Sequence, residues 1–265
     1  MVASFPTPAQ QLQQMTHEIR PQRAARHRLQ EQPAANGLIR LLQFSGILSS
    51  DTKTKLQLAW WNDLIKEYFT PKAYMKLTLW KDNQRKEAKP FEIGVPILPR
   101  FFLVTTQSGV RSMSLALDGA RERPIAPGHS IVECVAAVWT YRYANGYTVT
   151  LRGALSAHVL TTATPLAHTF KFDEFTFDAN FHDKSISLDA LNGRRIPEPI
   201  RPPWLRDPNA PPDSEDDSLW EEPRLIIERC SIPGEPVNAF GIPQATMRCL
   251  EVRTFLFISP PPHSS

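Results

Sequence analysis

Apolar residues recur at helical spacing in the region that follows the first 35 residues. Leucines at near-helical intervals predict a helix between Gly37 and Leu48. The group Ser49-Ser50-Asp51 offers N-cap oxygens for a second helix, which runs to about Phe69 and ends before Pro71. Apolar residues of the second helix form a wide stripe, which predicts that this helix lies across a sheet.

Strict alternation of apolar and polar residues then predicts strands. The segments Met75 to Leu79 and Phe91 to Val95 alternate on either side of a charged turn. Residues Pro96 to Gln107 predict a short helix that stops at Gly109, and another alternating strand follows. The order of elements predicts an α+β fold, in which helices pack across a curved antiparallel sheet.

The hairpin around Asn145-Gly146 allows its register to be predicted. A two-residue turn would place Thr140 and Arg142 in the apolar row, so we expect a three-residue loop with Gly146 left-handed. This register pairs Tyr141 with Val149, Trp139 with Leu151 and Val135 with Leu155. The opposite face is small and mildly polar, which suits either solvent or a second subunit. Its residues are the candidate dimer interface: Cys134, Ala136, Val138, Thr140, Thr150, Ala154 and Ser156.

The next predicted strand carries four phenylalanines in two phases. Phe170 and Phe172 fall in one phase and Phe175 and Phe177 in the other, so a bulge at Asp173-Glu174 would bring all four to one face and bend the sheet. Tandem tryptophans on the second helix suit the core, with a ligand platform as the alternative. The predicted core markers are Trp60, Trp61, Phe101, Trp139, Phe170 and Phe172.

Composition divides the chain into five parts. Residues 1–34 are rich in Gln and Arg and predict a flexible tail, 35–192 the sheet domain, and 193–223 a proline-rich, acidic linker. Residues 224–258 form an apolar module on this tether, and 259–265 form a second tail whose prolines suggest a longer protein. The module must dock on its own domain or bind a partner. Its candidate partner-binding residues are Arg229, Cys230, Ile232, Met247, Leu250, Val252, Phe255 and Phe257.

Charge and cysteine content narrow the function classes. A net charge of +3 without a basic stripe is weak support for nucleic-acid binding, although four arginines between Arg20 and Arg28 leave it open. The three cysteines lack metal-ligand spacing and predict reduced thiols in an intracellular protein, with no metal and no cofactor. The first thirty residues lack a signal-peptide pattern, and no apolar run is long enough to span a membrane. We therefore expect a soluble protein that is not secreted.

Catalytic chemistry has one candidate set. His158, His168 and Asp173 lie on adjacent predicted strands and would form a general base if they lined a pocket. The expected register places His158 on the face opposite the aromatic band, which argues against this enzyme alternative. Phosphate-binding loops, nucleophile elbows and zinc-protease motifs are absent from the sequence.

Two motifs resemble a known family. The segment Trp60-Trp61-Asn62-Asp63-Leu64-Ile65-Lys66-Glu67-Tyr68-Phe69 is similar to the signature that opens the dimerisation domain of LIM-domain-binding proteins. Ile97-Leu98-Pro99-Arg100-Phe101-Phe102 resembles the I-P-R-[FY]-F element of the same family. Further similarity lies in Thr169 to Phe177 and in the segments 228–232 and 247–252. The proline-rich and acidic insertion is more like a fungal member, of the kind that regulates filamentous growth and adhesion.

The resemblance implies a fold and a function. It implies a cone similar to nuclear transport factor 2, self-association of residues 35–192 through the sheet, and docking of a LUFS (LisH-type) transcription factor on residues 224–258. The expected protein is then a nuclear, non-enzymatic transcriptional adaptor that reaches DNA only through its partners. A dimer of this kind joins two DNA-bound assemblies and raises their effective concentration.

Overall fold

The computed structural model describes residues 36–83, 86–163, 168–197 and 225–258. The predicted tails and most of the predicted linker lie outside these residues. In chain order the helices are α1 (Asn36–Ser49), α2 (Leu58–Tyr68), α3 (Leu98–Gln107) and α4 (Gln244–Ile258). The strands are β1 (Phe69–Trp80), β2 (Ala88–Gly94), β3 (Val110–Ala116), β4 (Arg121–Ala126), β5 (His129–Tyr143), β6 (Tyr147–Ala163), β7 (His168–Ile186), β8 (Asn192–Pro197) and β9 (Leu225–Ser231).

Strands β1 to β7 form one curved sheet, and the helices pack on one face of it. The strand order is β2-β1-β7-β6-β5-β3, with β4 also paired to β5. Every pair in the sheet is antiparallel, as predicted, except that β1 runs parallel to β7. The α+β class is therefore confirmed. The parallel pair requires a long crossover, which the chain between β1 and β7 provides.

The predicted bulge in β7 is confirmed. Val159 pairs with Phe172 and His158 pairs with Glu174, so Asp173 is the extra residue. Beyond it, Phe175 and Phe177 return to the face that Phe172 occupies, and all three are fully buried. An extra residue bends its strand and increases the local twist, so this bulge curves the sheet around the helices.

The β5–β6 hairpin has the predicted register near its loop and a different one further along. Tyr141 pairs with Val149 and Trp139 with Leu151, and Gly146 has a φ of +87°. A second bulge then shifts the pairing, so Leu155 lies opposite Cys134 instead of Val135. The predicted pairing of Val135 with Leu155 is therefore wrong. Cys134 is buried in the core, and Val135 is 88% exposed.

The two N-terminal helices meet at a buried lysine. The Lys55 amine donates hydrogen bonds to the Leu48 carbonyl at 2.7 Å and to the Ser50 carbonyl, so it satisfies groups at the end of α1. Burial lowers the pKa of Lys55 to about 8, against the attraction of Asp51. The predicted N-cap at Ser49-Ser50-Asp51 is wrong, because a 3-10 helix at Lys53–Leu56 precedes α2. The Ser49 and Ser50 hydroxyls instead donate back to carbonyls of α1.

Aromatic rings fill the space between the helices and the sheet. Trp61 stacks on Phe102 with ring centroids 5.1 Å apart, and Trp139 lies 5.8 Å from Phe177. Ring contacts of this kind add to the stabilisation from burial. The predicted core markers are confirmed, since Trp61, Phe101, Trp139 and Phe172 are buried and Trp60 and Phe170 pack against them.

The C-terminal segment docks on the same core. Phe240, Ile242, Met247 and Leu250 belong to the core cluster. At this contact the buried Thr105 and Thr246 hydroxyls lie 3.1 Å apart. Lys89 forms an ion pair with Glu251 at 2.7 Å, and the amide of Asp82 donates to the Ala239 carbonyl. Of the two predicted outcomes for this apolar segment, the structure therefore shows docking on its own domain.

A two-stranded ribbon of β8 and β9 connects this segment to the sheet domain. Ile196 pairs with Ile226 and Pro197 with Leu225. Residues 193–197 are therefore strand, and the prediction that the linker begins at 193 is wrong. The sequence of β8 is only weakly apolar and did not predict a strand. The strand forms because β8 pairs with β9.

We expect Gly153→Ala to destabilise the fold, because the chain backbones approach closely at a third bulge. A Cβ at position 153 would lie 1.7 Å from the Asp178 carbonyl oxygen. Forcing extra atoms into a packed site costs about 1–3 kcal/mol or more. Gly46→Ala is the matched control, because nothing lies within 4 Å of its added Cβ and Ala favours a helix by about 0.5–1 kcal/mol. Urea unfolding measures the stability of both variants. Equal stabilities would contradict the close approach of the two backbones at position 153.

Candidate functional site

The candidate dimer interface lies on the face of the sheet that points away from the helices, here called the outer face. Val138, Thr140, Thr150, Ala154 and Ser156 all belong to it, with Thr140 directly opposite Thr150. Ala154 is exposed, and the other four are partly exposed. The strand pairing and the exposure of these five residues thus place them on one face of the sheet, as the predicted register requires.

The bulge in β5 changes the membership of the outer face. Cys134 is 2% exposed and points into the core, so its prediction as an interface residue is wrong. Ala136, in the bulge, is exposed as expected. Val135 is also exposed, although the sequence placed it in the apolar row. Phe181 is 42% exposed beside a bulge in β7, and nothing in its alternation predicted this exposure.

Thr150 stands out at the centre of this face. Its hydroxyl oxygen is buried, yet it has no hydrogen-bond partner within the described part of the chain. A buried polar group without a partner costs about 1–3 kcal/mol. The Thr150 hydroxyl is therefore a local cost to the stability of the single chain.

A charged cluster borders the small residues of the outer face. Glu174 accepts hydrogen bonds from the Tyr74 hydroxyl at 2.7 Å and from the Lys76 amine at 2.9 Å. These two bonds, in that order of strength, hold the pKa of Glu174 below its ordinary value. The indole of Trp80 donates to Asp178 at 2.7 Å. These hydrogen bonds hold the charged side chains of this border in place beside the small side chains of β6.

The candidate partner-binding residues separate into two groups. Met247 and Leu250 are about 2–3% exposed and pack in the core, so their prediction as partner contacts is wrong. Amphipathic spacing alone does not say whether an apolar side chain packs on its own domain or on another molecule. Phe255 and Phe257 belong to α4, but their side chains lie outside the described residues.

The remaining candidates lie at the surface. Arg229 and Cys230 on β9 are exposed, as are Ile232 at 65% and Val252 at 62%. Arg229 has a φ of 51°, which a side chain other than glycine or asparagine rarely adopts. It occupies a bulge in β9 opposite Gly193. Bulges redirect side chains, so the backbone presents Arg229 and Cys230 away from the regular ribbon.

The three residues of the enzyme alternative do not come together. His158 pairs with Glu174, and His168 lies six residues earlier on β7, about 20 Å along an extended strand. Asp173 accepts a hydrogen bond from Thr70 at 2.6 Å. His168 lines an open groove of about 530 Å³ between α1 and β7. On the helix side, the gap beside Phe101 and Tyr141 leaves no volume for a water molecule.

Other chemistry was sought in the described ranges. Within them, no group of three or more His, Cys, Asp or Glu side chains is arranged to hold a metal ion. None of the described helices is long and apolar enough to cross a membrane. The arginines between Arg20 and Arg28, which left nucleic-acid binding open, lie outside the described residues.

Comparison with known proteins gives consistent matches. The sequence model of the family described as LIM-domain binding protein matches residues 39–256. Adhesion defective protein 1 of Schizosaccharomyces pombe is 27% identical over 82% of this chain and 55% of its own length. Transcriptional activator ptaB of Aspergillus fumigatus is 25% identical over 81% of this chain and 28% of its own. The chain thus spans about half or less of these relatives.

Solved structures give a more distant likeness. A nuclear transport factor 2 (NTF2-like) superfamily protein from Salmonella enterica serovar Typhimurium is 15% identical, with a TM-score of 0.35. The match covers 55% of this chain and 87% of that protein. A likeness at this level carries no inference about activity.

We expect Met247→Ala to act on stability and Val252→Ala to leave it unchanged. Removing a buried Met side chain costs about 2–5 kcal/mol, whereas a surface change stays within about 0.5 kcal/mol. Both residues lie on α4, so the pair is matched for helix context. Urea unfolding measures the difference. Equal stabilities would mean that α4 does not pack on the core.

Proposed function

Because the chain belongs to the LIM-domain binding protein family, we propose that it is a transcriptional co-regulator that works in the nucleus by joining other proteins. The name of the Aspergillus relative, a transcriptional activator, supports this proposal. The name of the Schizosaccharomyces relative, adhesion defective protein 1, supports a role in adhesion. A role in filamentous growth is part of the same proposal.

The first part of the proposal is homodimerisation through the outer face. The observation that carries it is the run of small, partly exposed side chains of Thr140, Thr150 and Ser156 on β5 and β6, beside the exposed Val135 and Ala154. The four strands β1, β7, β6 and β5, about 4.8 Å apart and ten residues long, cover roughly 600 Å² in projection, charged border included. A stable interface buries about 800 Å² on each partner. The area is therefore of the right order for one interface.

The second part is docking of a LUFS-domain transcription factor on the C-terminal segment. Since Met247 and Leu250 are committed to the core, the proposed contacts are Arg229, Cys230, Ile232 and Val252. Arginine is enriched at protein interfaces, and the exposed side chains of Ile232 and Val252 would add buried apolar area on association. The protein then reaches DNA only through its partner, and its dimer raises the effective concentration of two bound partners.

We do not propose the enzyme alternative, because no observation in the described residues favours it. His158, His168 and Asp173 lack a shared pocket, and aromatic rings occupy the helix side of the sheet. A general base must lie within hydrogen-bond reach of its substrate.

The decisive experiment is light-scattering mass of the purified chain, alone and mixed with a LUFS-domain protein from the same source. The proposal expects a dimer alone and a larger complex of defined mass with the partner. A monomer at micromolar concentration that ignores the LUFS protein would refute both parts.

For the dimer, we expect Ala154→Arg to give a monomer. The substitution replaces a small exposed side chain with a long charged one, whose desolvation at an interface would oppose association. Ala144→Arg is the matched control, because Ala144 is equally classed as exposed but lies in the hairpin loop. Sedimentation at several concentrations measures the change. A dimer that persists in Ala154→Arg would place the interface elsewhere.

For the partner, we expect Ile232→Ala to weaken LUFS binding about tenfold, which corresponds to about 1.4 kcal/mol. The reason is the loss of buried apolar area at the contact. Leu56→Ala is the control, because Leu56 is 54% exposed on the surface formed by the helices. Calorimetry compares the two. Equal affinities would exclude Ile232 from the interface, while an unchanged dimer mass would show that folding is intact.

A further inference from the structure

Two histidines meet on the outer face, near the end of the β5–β6 ladder. Nε2 of His129 lies 3.0 Å from Nδ1 of His158. Ile131 pairs directly with His158, and His129 comes two residues before Ile131. The two histidines are therefore diagonal neighbours on one face, a position from which long side chains make contact.

The surroundings hold the two rings at a partly buried position. Ile131 is 6% exposed, but it does not belong to the core cluster on the helix side. It therefore forms an apolar base on the outer face, beside the two rings. The ring centroids are 5.2 Å apart. Nε2 of His129 and Nδ1 of His158 face each other, an arrangement that two parallel stacked rings would not give.

The separation of the two nitrogens is close to that of a shared metal ion. Zn²⁺ binds histidine nitrogen at about 2.0–2.1 Å in tetrahedral geometry, which places two nitrogens about 3.3 Å apart. The observed distance is about 0.3 Å shorter, as expected when one nitrogen donates a proton to the other. A divalent cation would replace that proton after a small separation of the rings.

Glu133 is the carboxylate best placed to add a third ligand. It follows Ile131 by two residues on the same face, so it is the other diagonal neighbour of His158. Arg123 donates to both of its oxygens, at 2.9 Å and 3.4 Å, and both side chains are about half exposed. The bond at 3.4 Å is long and exposed pairs are typically worth about 0–1 kcal/mol, so Zn²⁺ can displace Arg123 from Glu133. Glu174 also faces His158, but Tyr74 and Lys76 hold its two oxygens.

We propose that His129, His158 and Glu133 form a Zn²⁺ site, with water in the fourth position. Two imidazoles and one carboxylate are a ligand set that zinc favours. Only two of the three side chains converge as they stand, in keeping with the absence of a preformed three-ligand cluster in the described residues. The site uses one chain alone, so it does not rest on the proposed dimer.

Titration of the purified full chain with Zn²⁺ by calorimetry tests the site. Loss of a residue that only supports a metal ligand weakens metal binding about 10–100-fold. We expect His158→Ala and His129→Ala each to weaken one Zn²⁺-binding event by more than this. His168→Ala is the matched control, because His168 is an exposed histidine on the neighbouring strand and lies outside the site. Arg123→Ala releases Glu133 and should strengthen Zn²⁺ binding, whereas Glu133→Gln should weaken it.

Replacement of Zn²⁺ by Co²⁺ provides a second readout, since its visible absorption reports the coordination geometry. A tetrahedral spectrum that disappears in His158→Ala supports the proposal. Equal Zn²⁺ affinity in His158→Ala and His168→Ala overturns it and leaves the pair as a hydrogen bond. Glu133→Gln changes an exposed side chain, so it decides the question even if the histidine variants do not fold.

Discussion

Strand β7 has to pair on both sides and still present its phenylalanines to one layer of helices. It runs parallel to β1 and antiparallel to β6, so any irregularity in it must be matched by both neighbours. The extra residue Asp173 meets this demand, because both ladders shift at the same place and Thr70 of β1 binds the displaced carboxylate. The curvature of the sheet and its aromatic core both follow from this adjustment.

The sequence predicted those features that a strict period determines. Four phenylalanines in two phases required a bulge, and only Asp173 and Glu174 lie between the two phases. The loop at Gly146 followed in the same way, since the alternative register would have buried Arg142. By contrast, Cys134, Val135, Ala136 and Ala137 are all small and apolar. Either side of such a run is compatible with the core, so the alternation contained no information about the bulge in β5.

The candidate site was less predictable for a related reason. A side chain such as Met247 has the same pattern whether it packs on its own sheet or on a partner, and only the folded chain distinguishes the two. The contact of His129 with His158 depends on a diagonal across two strands, which needs a register that is correct beyond the bulge. The exposed Arg229 depends on a left-handed backbone that no local sequence signal announced.

The ribbon of β8 and β9 has a consequence for how this chain can vary. Pro197 and Leu225 lie directly opposite each other, so the chain between them starts and ends at the same point of the fold. The entropy of closing such a loop grows slowly, by about 0.6 kcal/mol for each doubling of its length. Evolution can therefore lengthen, shorten or recompose the proline-rich and acidic stretch without moving Phe240 or Met247 from the core. New regulatory sequence can enter here at almost no cost to folding.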